Sequence, residues 1–205
     1  MPDPTTDTHQ LPKDTPNIPQ TTSILSLQSS ITISAPVETV WSALTDTSTY
    51  PQWNRFIPRA SITSQPNATA SSPVLRADTR FTFYANMYPE KHETPQPDAS
   101  GLNPTCLKII EYHPPSSGNL SGRICWASDT DKGGFISWFL KAERVHEVSE
   151  VEDQDGRIVT AVRNWELQVG VLAYVVKWIF GRRLENNFRI WVEGLKGFVE
   201  GQTQQ

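Results

Sequence analysis

The residues best suited to chemistry in this chain of 205 residues are Arg144 and His146. They lie two positions apart in the run 135–150, the longest strand-like segment of the sequence. The other residues at the same alternate positions are apolar, namely Ile136, Trp138, Leu140, Ala142 and Val148. Because alternate residues of a strand share one face, a guanidinium and an imidazole are expected on an apolar face, where a bare charge is costly.

We predict that Arg144 anchors a carboxylate or enolate oxygen and that His146, which titrates near neutral pH, acts as a general acid or base. The alternative is that this end of the strand leaves the core. Both side chains would then be solvated or ion-paired, with Glu143, Glu147 or Glu166 as the candidate partner.

Glu166 is the third candidate catalytic residue, in the predicted strand 157–169. One set of alternate positions there is apolar apart from Arg163: Val159, Ala161, Trp165, Leu167 and Val169. The other set is polar: Thr160, Asn164, Glu166 and Gln168. Alternation alone directs Glu166 to solvent as a surface or ion-paired carboxylate. A carboxylate facing an apolar cavity would instead have a raised pKa and could serve as acid or base, and the sequence leaves the face open.

Aromatic residues supply the candidate lining of a binding cavity. The chain has seven Trp, and Trp lines cavities as readily as it fills cores. The candidate ligand-binding residues are Trp53, Asn54, Phe81, Phe83, Tyr84, Trp126, Trp138, Leu140, Trp165, Tyr174, Phe188 and Trp191. Trp53 has the alternative role of a packing anchor, and Tyr84 qualifies only if its side of the strand faces inward. Trp126 and Trp138 are the main lining candidates, with ordinary core packing as the alternative.

Several other classes of site are not supported by the sequence. No His or Cys lies at metal-ligand spacing, and there is no GxSxG, phosphate-binding loop or dinucleotide glycine fingerprint. We therefore predict no metal and no cofactor. A net charge of −4 argues against a nucleic-acid partner. With no secretory leader and no apolar run of the ~18 residues that a membrane span needs, we expect a cytoplasmic protein.

The remaining pattern indicates one folded domain over residues 23–202, after a polar, proline-rich tail over 1–22 that we predict to be disordered. The run 24–34 predicts a strand with a slip, interpreted as a bulge, near Ser29 and Ser30. Helical spacing of apolar residues follows it over 37–44, and an aromatic turn over 50–56. Five or six strands should come next. A long amphipathic helix closes the chain over 184–199, preceded by the apolar window 170–180, a candidate lid.

These segments resemble a known superfamily. The stretch 31–46 (ITISAPVETVWSALTD), followed by 50–56 (YPQWNRF), is similar to the opening of START-like proteins, also called SRPBCC or Bet v 1-like. The runs 140–148, 156–170 and 184–200 resemble the last two strands and helix of its polyketide cyclase/dehydrase-like branch. In that branch the position of Glu166 is commonly acidic, so the resemblance points to this residue.

The resemblance implies an α+β helix-grip fold. In this fold a curved antiparallel sheet of about seven strands surrounds a long C-terminal helix, two short helices follow the first strand, and a cavity lies between sheet and helix. The implied function is binding of a hydrophobic small molecule, with cofactor-independent cyclisation, dehydration or isomerisation of a polyketide- or terpenoid-like intermediate. The alternative is a non-catalytic carrier of lipid, sterol or quinone, in which 170–180 makes transient membrane contact. The sequence does not indicate an oligomeric state.

Overall fold

The computed structural model describes residues 13–66, 72–132 and 136–203. The strands are β1 (Leu25–Ile33), β2 (Arg59–Ser64), β3 (Arg80–Ala85), β4 (Asn103–His113), β5 (Ser121–Ser128), β6 (Lys141–Glu152) and β7 (Ile158–Val169). The helices are α1 (Val37–Thr45), α2 (Tyr50–Trp53), α3 (Ile136–Phe139) and α4 (Val171–Thr203). Short 3-10 turns occupy Gln20–Thr22, Thr47–Thr49 and Pro89–Lys91.

The seven strands form one sheet in the order β1-β7-β6-β5-β4-β3-β2. Every neighbouring pair is antiparallel. Helix α4 packs against the sheet chiefly along β1, and α1 and α2 also contact α4. The predicted α+β helix-grip fold is therefore confirmed, including the two short helices after the first strand.

Strand β1 lacks the predicted bulge. It pairs with β7 in one unbroken register, from Leu25 opposite Gln168 to Ile33 opposite Thr160. The apolar positions before and after Ser29 have the same parity, so the strand reaches both without a slip. Ser29 simply occupies an inward position, where its hydroxyl donates to the Phe188 carbonyl oxygen at 3.1 Å.

Helix α4 presents its apolar stripe to the inner face of the sheet. The buried members of this stripe are Leu184, Phe188, Trp191, Leu195 and Val199. Gly194 lies beside it, and a Cβ atom there would lie 2.7 Å from the Trp53 carbonyl oxygen. The absence of a side chain at 194 therefore lets the α2 turn approach the helix backbone.

The outer face of the sheet carries a second, smaller core. Its buried members are Ile18, Cys125, Val145, Trp165 and Leu167. Ile18 belongs to the segment 13–22, which lies across this face. Asn17 fixes the segment, because its backbone N–H and its side-chain amide donate to the two Glu143 carboxylate oxygens at 3.0 and 2.8 Å.

The predicted disorder over 1–22 is therefore wrong for residues 13–22, because Ile18 covers an apolar surface that the sheet would otherwise expose. Residues 1–12 lie outside the described part of the chain.

The predicted strand 135–150 is also corrected. Its first described residues form helix α3, and the strand runs from Lys141 to Glu152. Gly170, which directly follows β7, makes this arrangement possible, because β7 ends beside the start of β6. It has a φ of 100° and lies directly against the Phe139 carbonyl group, a position that any side chain would obstruct.

Candidate active site

The three predicted catalytic residues meet on the inner face of β6 and β7. Arg144 lies directly opposite Glu166, and His146 lies opposite Asn164. Directly opposed residues of an antiparallel pair share a face, with Cβ atoms about 4.5–5.5 Å apart. Glu166 thus belongs to the inward set of β7, which settles the choice that the sequence left open.

His146 lies at the centre of an aromatic sandwich. Its ring is fully buried, with its centroid 4.3 Å from that of Trp126 and 4.7 Å from that of Trp191. Neither ring nitrogen has a hydrogen-bond partner among the described residues. Burial, together with the charge of Arg144, lowers the pKa of His146 well below 6.5. At neutral pH the imidazole is therefore uncharged and offers one donor and one acceptor nitrogen.

Arg144 is a buried cation held mainly by aromatic rings and one amide. Its guanidinium carbon lies 4.0 Å from the ring centroid of Phe188, and Nη2 donates to Asn164 Oδ1 at 3.3 Å. Nε has no partner among the described residues. None of the ion pairs formed by the described residues includes Arg144. Burial lowers its pKa to about 10, so the group remains charged at neutral pH.

Glu166 is partly buried beside this cation. Its Oε1 accepts a 2.6 Å hydrogen bond from Gln168 Nε2. Burial raises the pKa of Glu166, and the charge of Arg144 and the bond from Gln168 oppose this rise only in part. A carboxylate of raised pKa is a stronger base than an exposed one.

Two residues that the sequence reasoning missed complete the polar interior. Tyr50 is buried and donates its hydroxyl to the Leu44 carbonyl oxygen at 2.7 Å, while burial raises its pKa. Asn187 is fully buried, and neither its amide nitrogen nor its amide oxygen has a partner among the described residues. Helical spacing could have identified Asn187, since it falls within the apolar stripe of α4 one turn before Trp191.

The aromatic lining agrees in part with the predicted set. Phe81 and Phe83 lie inside and pack edge-on against Trp126, at centroid distances of 6.2 and 5.5 Å. Trp53 packs against Trp191 at 5.6 Å and so also joins α2 to α4, the packing role given as its alternative. Phe188 and Trp191 complete the wall from α4.

Asn54 lies at the end of the α2 turn and is fully buried. Its Oδ1 accepts from the Ile57 backbone N–H at 2.7 Å, which fixes the turn. Its Nδ2 has no partner among the described residues. The amide therefore has one donor group free for a ligand.

Four predicted lining residues lie elsewhere. Tyr84 is on the outer face, where the Arg59 guanidinium lies 3.9 Å from its ring centroid. Trp165 is also on the outer face, in the core beneath Ile18. Trp138 is 79% exposed because two-residue alternation does not extend into helix α3, and Tyr174 is 64% exposed on the side of α4 that faces away from the sheet.

Leu140, the remaining predicted lining residue, is partly buried in the connection between α3 and β6. It lies two residues before Ala142, on the approach to the inner face rather than in the sheet. It is therefore at the margin of the polar cluster.

Two clefts formed by described residues open to the surface away from this cluster. One of about 580 Å³ lies beside the edge strand β2, with Thr47, Arg59 and Ile62 among its lining residues. Another of about 560 Å³ lies between the start of β1 and α4, beside Leu25 and Lys177. Arg144, His146 and Glu166 line neither of these two clefts.

In 13–66, 72–132 and 136–203, no group of three or more His, Cys, Asp or Glu side chains is placed to hold a metal ion. Among the helices in these same ranges, none is long and apolar enough to cross a bilayer.

Comparison with known proteins identifies relatives by sequence and by fold. The family model of polyketide cyclase / dehydrase and lipid transport proteins matches residues 25–99. A protein of Penicillium oxalicum, named oxopyrrolidines biosynthesis cluster protein O, is 40% identical over 201 residues, covering 96% of each chain.

Solved structures share the fold at low sequence identity. A hypothetical protein from Helicobacter pylori has a TM-score of 0.64 at 15% identity, with 86% of this chain and 89% of that chain covered. A START superfamily protein from Mycobacterium smegmatis has a TM-score of 0.55 at 15% identity, with 86% and 98% covered. The sequence match over 96% of each chain, together with the family model, shows that the chain belongs to the polyketide cyclase / dehydrase and lipid transport family, and the solved structures show that it shares the fold of a START superfamily protein.

Proposed function

We propose that this protein encloses a hydrophobic intermediate of secondary metabolism and catalyses its cyclisation, dehydration or isomerisation without a cofactor. The carrying observation is a buried Arg144 without an ion-pair partner among the described residues, next to a neutral His146 whose ring nitrogens have no described partner. Leaving such groups unpaired costs about 1–3 kcal/mol each. A ligand bearing an anionic oxygen and a carbonyl group would supply the missing partners.

The family and the sequence relative narrow the substrate class. Polyketide cyclases and dehydrases give the family its name, and the relative from Penicillium oxalicum is named for an oxopyrrolidine biosynthesis cluster. Polyketide-like chains carry carbonyl groups on alternate carbons, so the C–H between two carbonyls is acidic. We therefore propose a substrate with a 1,3-dicarbonyl unit, a further carbonyl group along the same chain and an apolar remainder.

In the proposed reaction, Glu166 removes the proton from the carbon between the two carbonyls. The electron pair of that C–H bond moves onto a carbonyl oxygen, and the resulting enolate oxygen is stabilised by the Arg144 guanidinium. The nucleophilic carbon then attacks a further carbonyl, more distant along the same chain than the 1,3-dicarbonyl unit, and a C–C bond forms as the π bond of that C=O breaks. His146 donates a hydrogen bond to the developing alkoxide, which receives the proton held by Glu166. No atoms are gained or lost in the closure, and departure of a water molecule afterwards would give the dehydrated product.

The enclosed position of the cluster supports this mechanism. Trp126, Trp191 and Phe188 surround the reactive groups, and in a water-poor site a fixed charge stabilises an oxyanion far more than it does in water. Holding the nucleophilic carbon beside the carbonyl that it attacks would also supply the proximity on which ring closure depends.

A test uses a β-ketoamide probe with an apolar chain, chosen because its central C–H is acidic. Hydrogen–deuterium exchange at this carbon is followed by NMR, and probe affinity is measured by quenching of Trp fluorescence. We expect the wild-type protein to accelerate exchange and Glu166→Gln to lose about 10²–10⁴ of that acceleration, while affinity changes little. Glu38→Gln, which alters an exposed carboxylate on α1, is the matched control.

One result of this test would contradict a catalytic role. If the wild-type protein binds the probe but exchange is no faster than in buffer, the carrier function is favoured. Native mass spectrometry of the purified protein would then identify the cargo. If Glu166→Gln weakens binding and exchange equally, Glu166 serves binding only.

A further inference from the structure

Exposed apolar side chains are concentrated at one end of the molecule. The set that we call the α3/α4 patch comprises Trp138, Val171, Tyr174, Val175, Trp178 and Ile179. Trp178 is 88% exposed and Trp138 is 79% exposed. Monomeric proteins rarely leave two Trp side chains this bare, so such a concentration marks a contact surface.

The patch is continuous across the two helices. Val171, Tyr174, Val175 and Trp178 recur at helical spacing and so lie on one side of the first turns of α4. Gly170, immediately before α4, lies against the Phe139 carbonyl group at the end of α3. This contact brings α3, with Trp138, to the beginning of the apolar side of α4.

Positive charge is concentrated in the two stretches of sequence that carry the patch. The sequence has no Asp or Glu in 132–142 or in 167–184. The same two stretches contain Lys132, Lys141, Lys177, Arg182 and Arg183. This sign is opposite to that of the whole chain, whose net charge is −4.

We propose that the α3/α4 patch docks on the surface of an anionic lipid bilayer. Trp and Tyr favour the boundary between acyl chains and headgroups because they combine an apolar ring with a polar N–H or O–H. The flanking lysines and arginines would lie at the phosphate level, where anionic lipids attract them. The contact is peripheral, with the apolar side of a surface helix inserted at the interface.

The charge pattern favours a bilayer over a second copy of the chain. In a two-fold symmetric dimer each copy presents the same surface to the other. Pairing through this patch would bring the basic residues of the same two stretches of both copies towards each other, without acidic residues in those stretches to compensate. An anionic membrane meets the same charges with the opposite sign. This inference does not depend on the proposed reaction.

The test is flotation of the full chain with vesicles of phosphatidylcholine alone and of phosphatidylcholine mixed with phosphatidylserine. We expect wild-type protein to float with the mixed vesicles, and added salt to weaken this binding by screening. Trp178→Ser should weaken it by about tenfold or more, and the double variant Lys177→Gln/Arg182→Gln should remove the preference for phosphatidylserine. Ile158→Ser is the control, because Ile158 is 61% exposed at the start of β7, outside the patch.

Three results would overturn the proposal. The first is no flotation with either vesicle, and the second is equal flotation of wild type and Trp178→Ser. The third is a wild-type dimer in solution, seen by light scattering, that Trp178→Ser converts to a monomer while vesicle binding is absent. Circular dichroism of each variant shows whether its fold is retained, and the charge variant provides a second test in which no apolar residue is removed.

Discussion

The two faces of strands β6 and β7 differ in how fully their charged and polar side chains are paired. On the outer face, Arg123 of the neighbouring strand donates to both Glu111 oxygens at 3.0 Å and to Glu147 at 2.5 Å. On the inner face, Arg144 has one long hydrogen bond and His146 has none among the described residues. The charged groups on the outer face pair with one another, whereas Arg144 and His146 on the inner face have nitrogen atoms without partners among the described residues.

This difference supports the proposal that the inner face binds a ligand, whereas the outer face contributes to stability. A mutual network such as Glu111–Arg123–Glu147 needs nothing further from its surroundings. Unpaired polar groups in a dry interior destabilise the free protein, and binding sites accept that cost because a ligand recovers it. Substitutions on the outer face should therefore change stability alone, and those on the inner face should change function first.

The largest effect is expected from Trp165→Ala on the outer face. Trp165 is buried in the second core with Leu167 and Val145, and truncating a buried Trp costs about 3–5 kcal/mol of unfolding free energy. Urea denaturation measures this loss. The probe affinity of the folded fraction should be unchanged at low temperature; a loss of affinity in a folded variant would contradict the separation of the two faces.

A matched pair of arginine substitutions sharpens the comparison. Arg144→Met should reduce the catalysed hydrogen–deuterium exchange of the β-ketoamide probe by about 10²–10³-fold, the range seen when an oxyanion-stabilising donor is removed. Its free energy of unfolding should be unchanged or higher, because a buried charge is replaced by an apolar side chain of similar length. Arg123→Met should show the reverse: the exchange rate is retained, and the free energy of unfolding falls by about 1 kcal/mol because the surface network is broken. Equal behaviour of the two variants would remove the functional distinction.

The smallest effect is a pH dependence of stability that arises inside the molecule. The pKa of His146 is lowered on folding, so the unfolded chain binds a proton below pH 6.5 that the folded chain does not. Stability therefore falls as pH decreases below about 6.5, by up to about 1.4 kcal/mol per pH unit for one proton. His146→Gln should make the profile flatter between pH 6.5 and 5, measured by urea denaturation at each pH.

A second variant checks the assignment of this slope. Glu166 acts with the opposite sign, because its pKa is raised on folding. Just above pH 4.5 the folded chain therefore binds a proton that the unfolded chain does not, and the contribution of Glu166 to stability rises as the pH falls toward 4.5. Glu166→Gln should therefore make the acid-side decline steeper.

The comparison of faces also explains what the sequence could predict. Arg144 and His146 were correctly placed because the apolar residues on their side of β6 do face the core. The same reasoning failed for β7, where the more apolar side, with Trp165 and Leu167, faces outward. That side is covered by the segment 13–22, whose composition gives little indication that Ile18 buries an apolar surface.

Local geometry accounts for the other differences. The alternation of apolar residues predicts a strand that includes Trp138, whereas the chain is helical at this residue and the strand begins at Lys141. The order of the elements and the seven strands were predictable because each depends on residues close in sequence. The inward position of Glu166, opposite Arg144, was not, because it depends on how distant segments pack.

The absence of a Cβ atom at Gly194 has a consequence for which substitutions this fold can accept. It sets how closely the α2 turn sits on the terminal helix, and a methyl group would press against the Trp53 carbonyl oxygen at 2.7 Å. Alanine at this position would force the helix and the turn apart without altering any reactive side chain. The distance between α2 and α4 can therefore change by a substitution at one position that leaves Arg144, His146 and Glu166 in the chain.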